Sequence, residues 1–282
     1  MVPDETPPCP PEAVAAAETL CGGPVELKSI TDRRGSAVWK ATGPAGPAAV
    51  KAGFGEGAQI TAREAEVLGK LPEYNVDSGT HEGTVWMVTP WFEGPSTWGV
   101  FKTVRETGEG LDTAKAGAVT LCRTVAALHE SGWVHSDLQP AHGVHTPDGV
   151  RLLDLSWAWK EDFVPGPEFR GGIVHLVAPE LAASINVGIM PVTPSKAAEV
   201  YALAGSLWTC ITGRWPLDYK TAGIDTKEIG PAKTRAHIAN RRIPLDTSTP
   251  WPAVQDVLRP VLLGGPGDRP TAAELGDLLA AL

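Results

Sequence analysis

The sequence predicts an α+β protein in two parts, a small strand-rich part followed by a larger helical one. Three observations carry that expectation. From Val25 to about residue 94, short β-like runs are separated by glycine and proline. Beyond residue 95 the apolar residues recur at helical spacing. The 282 residues, 43% apolar and 20% charged, are enough to bury a sizeable core.

Taken in order, residues 1–24 read as a loose arm, "MVPDETPPCPPE" running into the alanine-rich "EAVAAAETL". Residues 25–94 hold the strand candidates "VELKSI", "SAVWKA", "AAVKAG" and "TVWMVTPWF", with the helical "ITAREAEVLGKL" before the last. Residues 95–282 hold the helix candidates "AKAGAVTLCRTVAALHESG", "AAEVYALAGSLWTCITG" and "TAAELGDLLAAL". In the first of these, Ala118, Leu121, Cys122, Val125 and Leu128 form one stripe, which makes Cys122 a core thiol. No repeat or low-complexity array interrupts the pattern.

Composition excludes several classes. A formal charge of -9 argues against a dedicated nucleic-acid partner. The start is acidic and proline-rich with no apolar stretch, unlike a secretory signal, and no run of about 18 apolar residues exists for a membrane span. The four cysteines (Cys9, Cys21, Cys122, Cys210) lack CxxC spacing, so reduced thiols and a cytoplasmic location are expected.

Chemistry concentrates in "WVHSDLQPAHGVHTPDGVRLLDLSWAW", residues 133–159, with three histidines and three aspartates. Taken alone, this density fits a metal site, a general-base site or ordinary surface. A zinc site from His142 and His145 lacks matching cysteines. His81, His129, His145, His175 and His237 read as surface or structural residues. Lys51 alone reads as a solvated strand lysine; flanked by "AAV" and followed 13 residues later by Glu64, it reads as a ligand contact.

From about Val25 to Leu282 the order of these motifs resembles the protein-kinase family, which implies the bilobal protein-kinase-like fold. "AAVKAG" looks like the strand carrying the ATP-binding lysine, Lys51, and "AREAEVLGKL" like the helix that supplies its partner, Glu64. "VHSDLQPAH" is similar to the catalytic loop H-R-D-L-K-P-x-N, and "LLDLSWA" stands where D-F-G is expected. "VAPEL", "EVYALAGSLWTCITGRWP" and "DRPTAAEL" resemble the A-P-E motif, the helix after it and the start of the last helix.

The resemblance implies ATP with Mg2+ or Mn2+ as cofactors. It implies that Lys51 holds phosphates and Glu64 fixes its ammonium. Asp137 takes or orients the proton of an attacking hydroxyl, and Asp154 binds the metal. Thr89 would line the back of the adenine pocket, with Pro90 offering only a carbonyl and Phe92 an N–H to the base. His135 would pack beneath the catalytic loop, and Glu180 with Arg269 would form a stabilising buried pair.

Departures from the family pattern are equally specific. The phosphate-covering loop is "TDRRGSAV", with Thr31, Arg33 and Ser36 at glycine positions; Ser36 can add a hydroxyl, but a tight, flexible lid is not expected. Ser136 replaces the arginine that pairs with a phosphorylated activation segment, which implies activity without that switch. Gln139 replaces the lysine near the γ-phosphate. His142 replaces the metal-binding asparagine, so the second metal site is retuned or lost. Glu199 replaces an aspartate that anchors the catalytic loop.

The leading expectation is an ATP-dependent phosphotransferase acting on hydroxyl groups. The finer resemblance is to the kinase-like proteins of ribosomal-peptide pathways of the class V lanthipeptide or thioamitide type. It implies a peptide substrate, Ser/Thr phosphorylation and a separate lyase partner, since the chain stops at the last kinase helix. The alternatives are a pseudokinase that binds a peptide or partner, and a small-molecule phosphotransferase. Lys227, Lys233, Arg235, Arg241 and Arg242 lie in one basic stretch, read either as a dock for an acidic peptide or as a solvated helical face.

Overall fold

A computed structural model describes residues 8–33 and 35–282, with the backbone alone for Asp32 and Arg33. Residues 1–7 of the expected arm and the Arg33 side chain therefore lie outside the described residues. The chain divides into two compact units, Met1–Phe92 and Glu93–Leu282. The first is built on a sheet and the second on helices, the α+β, kinase-like architecture that the sequence predicts.

In the first unit, β1 (Glu26–Arg33), β2 (Ser36–Gly43), β3 (Gly46–Gly53), β4 (Asp77–His81) and β5 (Thr84–Pro90) form an antiparallel sheet in the order β1-β2-β3-β5-β4. Because side chains alternate along a strand, even-numbered Ala48, Val50 and Ala52 share one face of β3 while Lys51 points to the other. The alanine-valine face packs with Ala37, Trp39, Ala41, Trp86 and Val88 into one core.

The N-terminal segment differs from the expected loose arm. Its alanine-rich piece is α1 (Pro11–Cys21), started by proline in its first turn and ended by Gly22 in the left-handed region. Ala13, Ala17 and Cys21 recur every four residues, all buried, and complete that core. Small side chains let the helix lie close to the sheet. Opposite the sheet, α2 (Glu56–Gly69) buries Thr61, Glu64, Ala65 and Leu68 on one stripe.

The second unit begins with α3 (Thr97–Val100) and α4 (Lys102–Thr107), followed by the long α5 (Leu111–Glu130). Cys122 is fully buried on α5, as its stripe predicts, and its Cβ lies 3.2 Å from the position a Cβ would take at Gly276 of α10 (Ala272–Ala280). A short hairpin, β6 (Gly143–Thr146) with β7 (Gly149–Leu152), carries the loop between Val134 and Trp159. Then come α6 (Pro179–Asn186), α7 (Lys196–Thr212), α8 (Thr226–Ala239) and α9 (Pro252–Leu263). From Ala198 to Ile211 every α7 residue except Ala202 is buried, which marks it as the central helix.

All four cysteines are free. Burial pushes the Cys122 and Cys210 thiols up to about 12, so neither is a ready nucleophile. No helix among the described residues is long and apolar enough to cross a membrane.

Candidate functional site

In the first unit Lys51 and Thr89 lie on the sheet face turned towards α2. Lys51 Nζ donates to Glu64 Oε2 at 2.5 Å, with both side chains largely shielded from water. Alternation on β3 and the helical stripe of α2 bring the two together. Thr89 is buried on β5, and Pro90 ends that strand. The Phe92 ring meets Tyr74 edge-on at 5.8 Å.

The β1–β2 turn follows a local logic of its own. Strand pairing runs as far as Arg33↔Ser36, and the Gly35 carbonyl accepts a hydrogen bond from Phe54 N at 2.7 Å. The turn is thus tied to the β3–α2 connection by backbone. The Ser36 Oγ is buried and makes no hydrogen bond among the described residues.

The second unit gathers Asp137, Gln139, His142 and Asp154 in a cross-braced loop. His135 is fully buried; its Nε2–H donates to Leu153 O at 2.9 Å and its Nδ1 accepts from Asp137 N at 3.3 Å. Leu153 N in turn donates to His142 O at 2.8 Å. Two residues of this frame, Ser136 (φ 73°) and Asp154 (φ 61°), adopt left-handed backbone that costs a non-glycine residue about 1–3 kcal/mol. Something must hold them there.

Glu199 holds Ser136. Its Oε1 accepts from Ser136 N and its Oε2 from His129 Nε2–H, both at 2.6 Å and away from water. Burial alone would raise its carboxyl pKa. The hydrogen bond and charge of His129, the charge of His135 and the Ser136 N–H together outweigh that and hold it low. The longer side chain at this position therefore does reach the backbone of the loop at Ser136.

Asp137 is the reverse case. Burial lifts its carboxyl to about 6 and the Asp154 charge adds to this, against the opposing pull of His135, the Ile173 N–H and Gln139. Gln139 Nε2 lies 3.4 Å from Asp137 Oδ2. A carboxyl at about 6 is most of the way to the value that suits a general base at neutral pH. Gly172 (φ 70°) lies against it so closely that a Cβ there would come within 2.3 Å of Asp137 Oδ1.

His142 bridges the two aspartates. Its Nδ1–H donates to the Asp137 carbonyl at 2.9 Å, and its Nε2 faces Asp154 Oδ2 at 3.5 Å. A backbone carbonyl on one ring nitrogen fixes the tautomer, so the neutral ring turns the lone pair of the other towards Asp154. That is how proteins orient imidazole ligands. One carboxylate and one imidazole fit a divalent ion that takes its remaining ligands from phosphate and water. No group of three or more His, Cys, Asp or Glu side chains among the described residues could hold a metal, and His145 bonds to Thr97 Oγ1 at 3.0 Å instead.

Away from the loop, the Arg269 guanidinium forks onto Glu180, with contacts of 2.5 and 2.9 Å, and ties α6 to the start of α10. Sequence reasoning missed His129 as the partner of Glu199. The signal was present: His129 follows Val125 by four residues, on the buried stripe of α5. It also missed Gly172, whose proximity to Asp137 depends on the path of the segment before α6.

No family model matches the chain. Over 165 residues it is 29% identical to "Probable serine/threonine-protein kinase PkwA" of Thermomonospora curvata, covering 55% of this chain and 20% of that protein. Over 173 residues it is 28% identical to "Serine/threonine-protein kinase LMTK3" of Mus musculus, covering 58% of this chain and 12% of that one. The matched stretches thus span about a fifth and about an eighth of those relatives. The chain thus has a kinase-like architecture and, over part of its length, is similar to serine/threonine-protein kinases.

Proposed function

We propose that the chain is an ATP-dependent phosphotransferase that acts on the hydroxyl of a Ser or Thr side chain in a peptide. The observation that carries this reading is the convergence of His142 on Asp137 and Asp154, with Asp137 poised near 6. The acceptor oxygen attacks the γ-phosphorus as its proton passes to the Asp137 carboxylate, and the bond to the departing ADP oxygen breaks. Lys51, fixed by Glu64, binds phosphate oxygens, while Asp154 and His142 would hold the divalent ion. That ion, when bound, supplies neutralisation of phosphate charge. Mass spectrometry of Ser- and Thr-containing peptides after incubation with ATP tests the reading directly; no peptide gaining a phosphate would sink it.

The finer reading places this reaction in ribosomal-peptide modification, with a separate lyase eliminating the phosphate. A second reading, a pseudokinase that only docks a peptide, is favoured by the contact of Gly172 with Asp137 and by the tethered Gly35 turn. Nucleotide binding with and without metal, followed by turnover, separates the two.

Lys51→Ala and Asp154→Ala should each reduce phosphoryl transfer by about 100-fold or more, with circular dichroism unchanged. Wild-type turnover in either variant would contradict the assigned roles. His142→Asn exchanges a nitrogen donor for an oxygen donor, so the ratio of turnover with Mg2+ to turnover with Mn2+ should rise. An unchanged ratio would remove His142 from the ion.

A further inference from the structure

The second unit contains an open cleft of about 450 Å³ that the transfer chemistry does not use. Gln139 and Ile173 line it, and both touch Asp137. The Gln139 amide lies 3.4 Å from Asp137 Oδ2, and the Ile173 N–H donates to the same carboxyl. The cleft therefore begins one side chain away from the candidate base.

Its walls are apolar. Trp98, Trp215, Pro140 and Ala141 line it, and none of these four side chains can accept a hydrogen bond. The polar groups beside them are engaged elsewhere. Ser96 Oγ accepts from Gly99 N at 3.2 Å, Thr209 Oγ1 donates to Gly205 O at 2.8 Å, and Arg214 faces Asp246 at 3.8 Å. No Asp or Glu among the described residues lines the cleft.

Both indoles are braced. The Arg105 guanidinium lies over the Trp98 ring, 3.5 Å from its centre, and is itself fixed by donating to Cys210 O at 2.8 Å. Trp98 N donates to Pro140 O at 2.9 Å, which ties the indole's backbone to the cleft wall. The His175 ring stacks on Trp215 with centres 4.6 Å apart and is hydrogen-bonded to Tyr219 Oη at 2.9 Å. Trp98 nevertheless remains 41% exposed. An indole left in water gains free energy when it is covered, and one already pinned loses little entropy in the process. Rigid, half-open tryptophans of this kind are the usual anchors of recognition.

We propose that this cleft receives a large apolar side chain of the substrate peptide, aromatic in preference, within about three residues of the acceptor hydroxyl. This rests on the peptide-phosphorylation reading above and narrows its substrates to peptides that carry such a side chain near the acceptor. The cleft lies within the size range of ligand sites, about 300–1,000 Å³. A Lys or Arg side chain would lose hydration there and find no carboxylate, and an Asp or Glu would compete with Asp246 for Arg214.

The test uses the full chain without nucleotide, so that docking is read separately from transfer. Fluorescence anisotropy compares labelled peptides with one central Ser and a single Phe, Gln, Arg or Glu at each of the three positions on either side. At one of these positions the Phe peptide should bind about tenfold tighter than the other three. Raising the salt concentration should leave that preference intact. Trp98→Ala should erase most of it with circular dichroism unchanged. Ala141 is exposed, so Ala141→Glu provides a second arm that does not disturb the core. It places a carboxylate in the cleft, and preference at the same position should turn towards Arg. No saturable binding, no position that favours Phe, a lead for Arg or Glu in the unaltered protein, or a Phe preference that survives both substitutions overturns the proposal. Failure of the same peptides to accept phosphate, with the binding preference intact, would instead count against the transfer reading alone.

Discussion

Asp137→Asn should abolish phosphoryl transfer while making the protein more stable at neutral pH. The carboxyl titrates at about 6, well above an unfolded aspartate, so the folded state binds the proton more tightly. Stability linked to this group is therefore fully present below pH ~3.9 and is lost as pH rises through about 6. An asparagine amide carries no such penalty and keeps one acceptor oxygen for Gln139 or the Ile173 N–H. The gain at pH 7.5 should reach up to about 3 kcal/mol, and turnover should fall by about 10²–10⁴-fold. In the unaltered protein turnover should climb as pH rises through about 6. Thermal melts and rate profiles of both proteins over that range check this. A variant that is both inactive and less stable would mean that Asp137 serves the fold, not the reaction.

Glu199→Ala should have the opposite signature. It strips the acceptor from both Ser136 N and His129 Nε2, and both contacts are buried. Breaking a buried pair of this kind costs about 3–5 kcal/mol. In a chain this size the melting temperature should fall on the order of 10 °C. Activity should be lost even well below the melt, because Ser136 is released from its left-handed backbone and Asp137 follows it. Since the Glu199 carboxyl is held low, its contribution to stability is present above pH ~4.3 and fades as pH falls below it. A melt within two or three degrees of the parent's, by scanning fluorimetry, would show that the anchor contributes little.

Much of the fold was legible because its signals are local. Alternation on β3 places Lys51 on the face opposite Ala48 and Val50, and the helical stripe of α2 carries Glu64 to it. The α7 pattern marks a helix buried on all sides. What escaped depends on contacts between distant segments. Alanines in α1 have little hydrophobic signal, and their value comes from close approach to a sheet that the sequence does not announce. The reach of Glu199 to two partners is a tertiary fact. His142 was legible as a residue type but not as an orientation, which its bond to the Asp137 carbonyl supplies.

The packing of α1 also bears on the order in which the small unit can assemble. In chain order this helix precedes β3 and β5, the strands it packs on. An isolated helix of this length is marginal in water, so it waits as a fluctuating segment until the hairpins have paired. The helix is thus among the last pieces of the small unit to dock, and its arrival closes the sheet's apolar face to water. Long-range closures of this kind slow folding and leave that face briefly open to association with other chains. α1 is in this sense a kinetic seal, and the small unit is complete only when it is set.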